Sequence, residues 1–549
     1  MKIIIVGGVA GGASVATRLR RLDETAEIIL IERGADISYA TCGLPYFIGE
    51  VIEKRGSLLV QTPEAIRKRF RLDIRILQEV QRIIPSSKEV EIKNLQTGEI
   101  YRESYDNLLL SPGASPLVPP LPGAELRGVF TLRTVSDSVV IKDWVGTDKA
   151  QRAVVVGGGF IGIEVAENLS HLGLNVVIVE AQDQLLAPLD PEMAAYLNRE
   201  MRQKGIELFF NEPVIAFEGE EKLQAVILKS GKRIEADFAV LAIGVRPETK
   251  LAVEAGLEIG ETRGILVDEY FQTSNPNIYA LGDAVEVVNF VSGKKALIPL
   301  AGPAQKQARI VADKLMGKAE KGYQGTLGTS IVKVFDLVAA STGLNEKTLK
   351  KLEIPYLASY THPDSHAGYY PGAAQMCIKL LFAPQSGQIL GAQIVGSVGV
   401  DKRIDILAAC LRNRLTVADL IDLELAYAPP FSSAKDPVSV AGQVACNILE
   451  ESVEIAHWHE LPELQGKGAF IVDVREVHEV EKGTIPGALN IPLNDLRNRM
   501  SELPQDKMIV LYCKAGLRSY IGYCLLKSAG FQVRSLSGGY LTYVMSTRK

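Results

Sequence analysis

Two stretches of this 549-residue chain repeat one order: a short apolar strand, a glycine-rich turn, a helix, a second apolar strand and an acid. Ile3-Ile-Ile-Val6 is short, β-branched and stopped by glycine, the pattern of a buried parallel strand. Gly7-Gly-Val-Ala-Gly-Gly12 leads into a helix expected over residues 13–22, and a strand over 27–31 ends at Glu32. The order returns with the strand Arg152–Val156, the turn Gly157-Gly-Gly-Phe-Ile-Gly162, a helix through Leu172 and the strand Asn175–Val179, which ends at Glu180. Glycines at such a turn let backbone N–H groups approach a pyrophosphate at the positive end of a helix. An acid after the next strand accepts hydrogen bonds from ribose hydroxyls. Two such units imply two bound dinucleotides. The second unit has the full G-x-G-x-x-G spacing, whereas the first carries Val9 in the middle position. Glu180 suits an unphosphorylated 2′-hydroxyl and would repel a 2′-phosphate, so NADH is expected over NADPH.

Length and composition narrow the setting. At roughly 100–200 residues per domain, the chain holds three to five domains, each able to bury a core. Apolar residues make up 47% and charged residues 23%, as in globular cytosolic proteins. The net charge of −5 and the absence of any basic block exclude nucleic acid as an expected partner. No stretch approaches the roughly 18 apolar residues of a membrane span, and the first apolar run stops at glycine, too short for a signal-peptide core. A soluble, cytoplasmic protein is expected. Six irregularly spaced cysteines make no disulfide framework, and none has zinc spacing, so no metal site is expected.

Directly after the first unit stands Ser38-Tyr-Ala-Thr-Cys42-Gly-Leu-Pro-Tyr46, the only cysteine before Cys377. Glycine and proline follow at once, which puts the thiol at a turn. We read Cys42 as a lone redox thiol beneath a flavin. Further along, Leu110-Ser-Pro-Gly-Ala114, Ala242-Ile-Gly-Val-Arg-Pro247 and Asn277-Ile-Tyr-Ala-Leu-Gly-Asp283 each close a strand, and a helix is expected from about Gly302 to Met316.

In this order the motifs resemble the two-dinucleotide flavoprotein disulfide reductases of the pyridine nucleotide-disulfide oxidoreductase family. The likeness covers about residues 1–447 and is strongest to the single-cysteine branch, the coenzyme A-disulfide and NADH-dependent persulfide reductases. It implies an FAD site at Gly7, Ala10, Gly11, Gly12, Glu32 and Arg33. Val80, Ser111, Gly113 and Ala301 would complete it, with Asp283 closing over the ribityl chain. It also implies an NADH site at Gly157, Gly159, Phe160, Ile161, Gly162, Glu180 and Gly244. Dithiol reductases carry a second cysteine a few residues on. Here Gly43, Leu44, Pro45, Tyr46 and Phe47 follow, so no local disulfide forms. The NADH oxidase and peroxidase branch has a histidine in its first glycine loop, where this chain has Ala10, which lowers that rival reading.

Residues 325–447 resemble the family's dimerisation domain, with strands near 330–335 and 389–395 and a helix near 401–412. Within it, His366-Ala-Gly-Tyr-Tyr-Pro-Gly372 and Ala426-Tyr-Ala-Pro-Pro430 are loops bearing tyrosines. The resemblance implies that Tyr369 and Tyr427 reach the partner subunit's active site in a homodimer, where a phenol can supply a proton. It further implies coenzyme A contacts at Ser14, Arg18, Arg21, Ser38 and Lys435, of which the cations suit phosphates.

Residues 448–462 read as a linker with a docking segment, in which His457 and His459 are packing or surface residues. A second α/β fold is expected from residue 463. Phe470-Ile-Val-Asp-Val-Arg475 is a strand, Gly483–Pro492 a turn into a short strand, and Met508–Tyr512 a buried strand. That last strand delivers Cys513-Lys-Ala-Gly-Leu-Arg518, and a helix follows to about Ala529. Loop N–H groups, the helix start and Arg518 all favour a thiolate at Cys513. This stretch is similar to a single-domain rhodanese, whose cysteine carries a persulfide. A loop of six residues suits sulfur better than phosphate, and Cys524 is expected in the core.

The expected architecture is therefore α/β, with two Rossmann-like domains, an α+β dimerisation domain and a C-terminal rhodanese domain. Its boundaries are 1–149 with 269–324 for FAD, 150–268 for NADH, 325–447, 448–462 and 463–549. The expected activity is NADH-dependent, FAD-mediated reduction of coenzyme A persulfide, polysulfide or coenzyme A disulfide, with catalytic Cys42, Tyr369 and Tyr427, and with Cys513 and Arg518 handling sulfane sulfur. Rivals are an NADH oxidase or peroxidase cycling through a sulfenic acid, a C-terminal domain that only binds or senses, and sulfur trafficking without the flavin.

Overall fold

The computed structural model describes residues 1–147 and 150–547. The boundary expected at 149 lies outside them. The chain forms two compact units: Met1–Asp183 with Gly205–Gly328, and Gln184–Lys204 with the residues from Thr329 onward.

The first unit is built on two five-stranded parallel sheets. One runs in the order Ile278–Ala280, Asn107–Leu110, Lys2–Val6, Glu27–Glu32, Asp73–Ile76. Its central strand is buried throughout from Ile3 to Val6, because crossover helices such as Ala10–Leu22 cover its faces. The other runs Glu207–Phe209, Asn175–Val179, Arg152–Val156, Phe238–Leu241, Val129–Thr131. Each is joined by a three-stranded antiparallel sheet: residues 78–104 for the first and 214–235 for the second.

In the second unit an antiparallel sheet runs Ser330–Val334, Leu337–Gly343, Ile389–Gly396, Cys377–Phe382, Leu357–Thr361. The helix Pro191–Gln203 belongs to this unit and buries Met193, Leu197 and Met201. Lys379 fastens it. Its ammonium is fully buried and contacts Asp190 at 2.8 Å, Glu192 at 2.5 Å and Glu346 at 2.6 Å. Those three carboxylates have metal-like proximity, but the cation they enclose is the lysine.

The C-terminal sheet is parallel, in the order Ile455–Ala456, Val533–Leu536, Ile509–Tyr512, Phe470–Asp473, Leu489–Asn490. Its first strand comes from the segment read as a linker, so part of residues 448–462 is built into the sheet. Cys524 corrects a further expectation: its side chain is exposed. The helix Leu517–Ser528 buries Ser519, Gly522, Tyr523 and Leu526, a stripe at helical spacing from which position 524 points away. His457 and His459 stack on each other with ring centroids 5.5 Å apart.

Candidate active site

Both glycine turns are shaped by close backbone approach. Gly7 and Gly157 have φ of +97° and +110°, in the left-handed region that favours glycine. A Cβ on Gly12 would lie 1.9 Å from the Gly7 carbonyl oxygen, and one on Gly162 equally close to that of Gly157. The two acids are held alike. Glu32 accepts from the N–H groups of Gly8 at 2.8 Å and Gly34 at 2.7 Å, and Glu180 from those of Gly158 at 2.7 Å and Gln182 at 2.8 Å. Each carboxylate keeps lone pairs for a ribose.

Within the first unit, some of the residues expected around FAD approach one another. A Cβ on Gly11 would meet Ser111 Oγ at 2.7 Å and Leu281 at 2.2 Å, so the helix start sits against both later strand ends. A Cβ on Gly113 would meet the Arg133 guanidinium at 2.4 Å, and Arg133 is the cation that opposes the burial raising the Asp283 carboxyl. Arg33 is exposed and lies 3.8 Å from Glu248. Val80 is buried in the core, and Ala301 is exposed at the first position of the helix Ala301–Leu315.

The residues present fit two dinucleotides. The helices Ala10–Leu22 and Phe160–His171 both start without a side-chain cap, at Val9 and Gly159. Their first N–H groups therefore remain available to an anion. A Cβ on Gly159 would meet nothing within 4 Å, so the turn faces open space bounded by the half-buried Phe160 and the exposed Ile161. Gly244, at φ +109°, closes the neighbouring strand.

Cys42 occupies a one-turn helix, Thr41–Gly43, that runs directly into Leu44–Ile48. Its thiol is exposed. One turn on, Tyr46 donates to Glu164 Oε1 at 3.2 Å, and Cys42 is near enough to help raise the Tyr46 phenol. Burial, with a smaller push from Glu167, raises the Glu164 carboxyl to about 7. Tyr46 and Glu164 were not singled out in the sequence. The signal was there: an acid two residues past Gly162, and a tyrosine one helical turn past the thiol.

Of the expected coenzyme A residues, Ser14 hydroxyl donates to Ala10 O at 2.6 Å and approaches Gln305 Oε1 at 2.7 Å. Arg18 turns Nε and Nη2 onto Asp313, at 2.9 and 2.7 Å, and Arg21 is exposed. Ser38 has φ +49°, held by its N–H on Gly8 O. Lys435 is exposed in the second unit.

In that unit the Tyr369 and Tyr427 hydroxyls meet at 3.1 Å, and the hydrogen bond raises the Tyr369 phenol. The Tyr369 side chain is 76% exposed. Beneath the two loops, buried Arg403 donates to Ser365 O at 2.9 Å, Ser432 Oγ at 3.1 Å and Asp436 Oδ2 at 3.0 Å, tying one loop to the other.

At the C-terminal sheet, the Cys513 thiol is buried and accepts the Gly516 N–H at 3.1 Å. Arg518 points both terminal nitrogens at Glu479, 2.6 and 2.8 Å away. The strand expected over residues 470–475 ends at Asp473, because Arg475 folds back onto the buried Asp473 carboxylate at 2.6 Å.

Comparison with known proteins agrees with this layout. Residues 457–546 match the rhodanese-like domain. The coenzyme A disulfide reductase of Staphylococcus epidermidis is 37% identical over 449 residues, covering 81% of this chain and 99% of that protein. Among solved structures, reduced Bacillus anthracis CoADR-RHD is 50% identical with a TM-score of 0.98, over 99% of this chain and 98% of that one. The NAD-dependent persulfide reductase from A. fulgidus is 36% identical with a TM-score of 0.93, over 99% of this chain and 100% of that one. Residues 1–308, more than half of the chain, match the pyridine nucleotide-disulphide oxidoreductase description, and residues 329–437 match its dimerisation domain. On that match, the chain belongs to the pyridine nucleotide-disulphide oxidoreductase family.

Proposed function

We propose that this protein uses NADH to reduce the persulfide or disulfide of coenzyme A at Cys42, and that Cys513 carries sulfane sulfur for the same chemistry. The observation that carries the reading is the exposed, unpaired Cys42 thiol in a one-turn helix just after Ser38, whose N–H is held on Gly8 of the first dinucleotide turn. Relatives named for coenzyme A disulfide and for persulfide support it, as does the fused rhodanese-like domain.

The Cys42 thiolate attacks the sulfur bonded to coenzyme A. With a persulfide, hydrosulfide leaves; with coenzyme A disulfide, coenzyme A thiolate leaves. Either way Cys42–S–S–CoA forms, and no net oxidation has occurred. Bound FAD would supply the two electrons, taken from NADH, that cleave this mixed disulfide. Gly11, Gly12, Glu32 and Asp283 would hold the flavin nucleotide, and Gly159, Gly162 and Glu180 the nicotinamide one. Thiolate leaving groups need protons, which Tyr369 and Tyr427 of the partner subunit are placed by this reading to give. Arg21 and Lys435 would meet coenzyme A phosphates, with Arg18 shared between a phosphate and Asp313.

The matched dimerisation domain supports a homodimer. Among the described residues no helix is long and apolar enough to cross a membrane, and all six cysteines are free, which supports a reducing, cytoplasmic setting. The oxidase alternative lacks support at Ala10, where no imidazole stands to protonate a leaving oxygen.

Two variants test the scheme. Cys42→Ser should lower NADH-dependent sulfide release from coenzyme A persulfide by at least about a thousandfold. Cys513→Ser should keep that reduction while losing thiocyanate formation from a sulfane donor and cyanide. Persulfide reduction at the normal rate by Cys42→Ser would sink the reading.

A further inference from the structure

The second sulfur site is assembled with both of its guanidinium charges already paired. Arg518 is the guanidinium of the Cys513 loop, and both arms of its fork are spent on Glu479. That contact holds the Glu479 carboxyl down to about 2. The neighbouring guanidinium, Arg475, is paired with buried Asp473. Lys514 stands exposed, where solvent and salt weaken its pull.

Apolar side chains stand exposed on the two helices that carry the ion pair. Leu517 precedes Arg518 and is 72% exposed, and Ile521, one turn further on the same helix face, is 43% exposed. Val477, on the short helix that carries Glu479, is 59% exposed.

A doubly charged inorganic donor such as thiosulfate needs an open cationic fork to receive its sulfonate oxygens. Here a carboxylate occupies the fork and repels a second anion. A thiol persulfide makes no such demand, since its reacting end is neutral when protonated and its alkyl arm can cover apolar surface.

We propose that Glu479 sets the donor class of this site: by closing the ion pair with Arg518 it disfavours dianionic donors and selects alkyl persulfides, whose arm lies on Val477, Leu517 and Ile521. This rests on the reading of Cys513 as a sulfur carrier. The transfer is balanced. Cys513–S⁻ attacks the outer sulfur of R–S–SH, a new S–S bond forms as the donor S–S bond breaks, and Cys513–S–SH and R–S⁻ result. The released thiolate takes a proton from water.

Glu479→Gln is a clean probe. Glu479 also accepts the Glu476 N–H at 3.1 Å in a capping box, and glutamine fills that role through its amide oxygen. The assay uses the full-length Cys42→Ser protein without NADH, with thiosulfate or propyl persulfide as donor and cyanide as acceptor. The parent should favour the persulfide in kcat/KM. Glu479→Gln should shift the ratio of the two values about tenfold toward thiosulfate, through a rise with thiosulfate. Leu517→Ser should raise KM for the persulfide and leave the thiosulfate value less affected. An unchanged ratio in Glu479→Gln, or a parent that favours thiosulfate, overturns the proposal. Equal loss with both donors also overturns it, since Glu479 would then only brace the loop. Absence of transfer from either donor in the parent would instead defeat the carrier reading, and this inference with it.

Discussion

The Glu164 carboxyl stands at about 7 because burial disfavours its charge, with Glu167 adding repulsion and the Tyr46 hydrogen bond partly offsetting both. An unfolded glutamate would titrate near 4.5. A folded value above the unfolded one means that the contribution is complete below about 4.5 and is lost as pH rises through about 7. The loss amounts to about 3 kcal/mol at most. Glu164→Gln carries no such charge. Its urea midpoint, measured beside the parent from pH 5 to 8 without added nucleotide, should gain on the parent as pH rises. Midpoints that stay parallel would show that Glu164 ionises normally. The pair also shows what a linear reading misses. Tyr46 and Glu164 stand 118 positions apart, and no local pattern joins them. Cys42 and the glycines were legible because their chemistry is local: a turn, a positive φ, a cap.

Elements were legible where period and punctuation agreed. The strand expected at residues 152–156 runs Arg152–Val156, and that at 175–179 runs Asn175–Val179. The first helix begins three residues earlier than expected, at Ala10, because the glycines of the turn are themselves helical. Long-range pairing was not legible. Nothing local says that Ile455–Ala456 joins a sheet edge, or that the helix Pro191–Gln203 leaves its sequence neighbours for the antiparallel sheet. That helix is fixed through Lys379, a cation enclosed by three acids. Removing the cation leaves buried carboxylates facing one another. Lys379→Met should therefore cost about 3–5 kcal/mol. Thermal unfolding followed by circular dichroism would register it as an early transition, and a midpoint within a degree or two of the parent would contradict the account.

At the scale of the whole molecule, the proposed active site needs two subunits: Cys42 from one and the Tyr369–Tyr427 pair from the other. Co-expression can test this directly. Cys42→Ser alone lacks the thiol, and Tyr369→Phe/Tyr427→Phe alone lacks both phenols. A mixed dimer of the two has one site with every group intact. Differently tagged subunits, purified as the mixed species, should regain about half of the parental activity, one good site in two. Activity no higher than the better single variant would mean that thiol and phenols belong to the same chain.

The helix Pro191–Gln203 has a practical consequence for anyone who wants to study the half that holds Cys513 by itself. A gene fragment starting at Thr329 leaves Met193, Leu197 and Met201 behind, and with them the lid over Cys377 and two of the counter-ions of Lys379. Such a piece would emerge from the ribosome with an oily trench and a lysine ammonium left with Glu346 as its one remaining carboxylate, ready to clump. Separating the halves cleanly means cutting the gene in three places and stitching residues 184–204 back by a short peptide bridge.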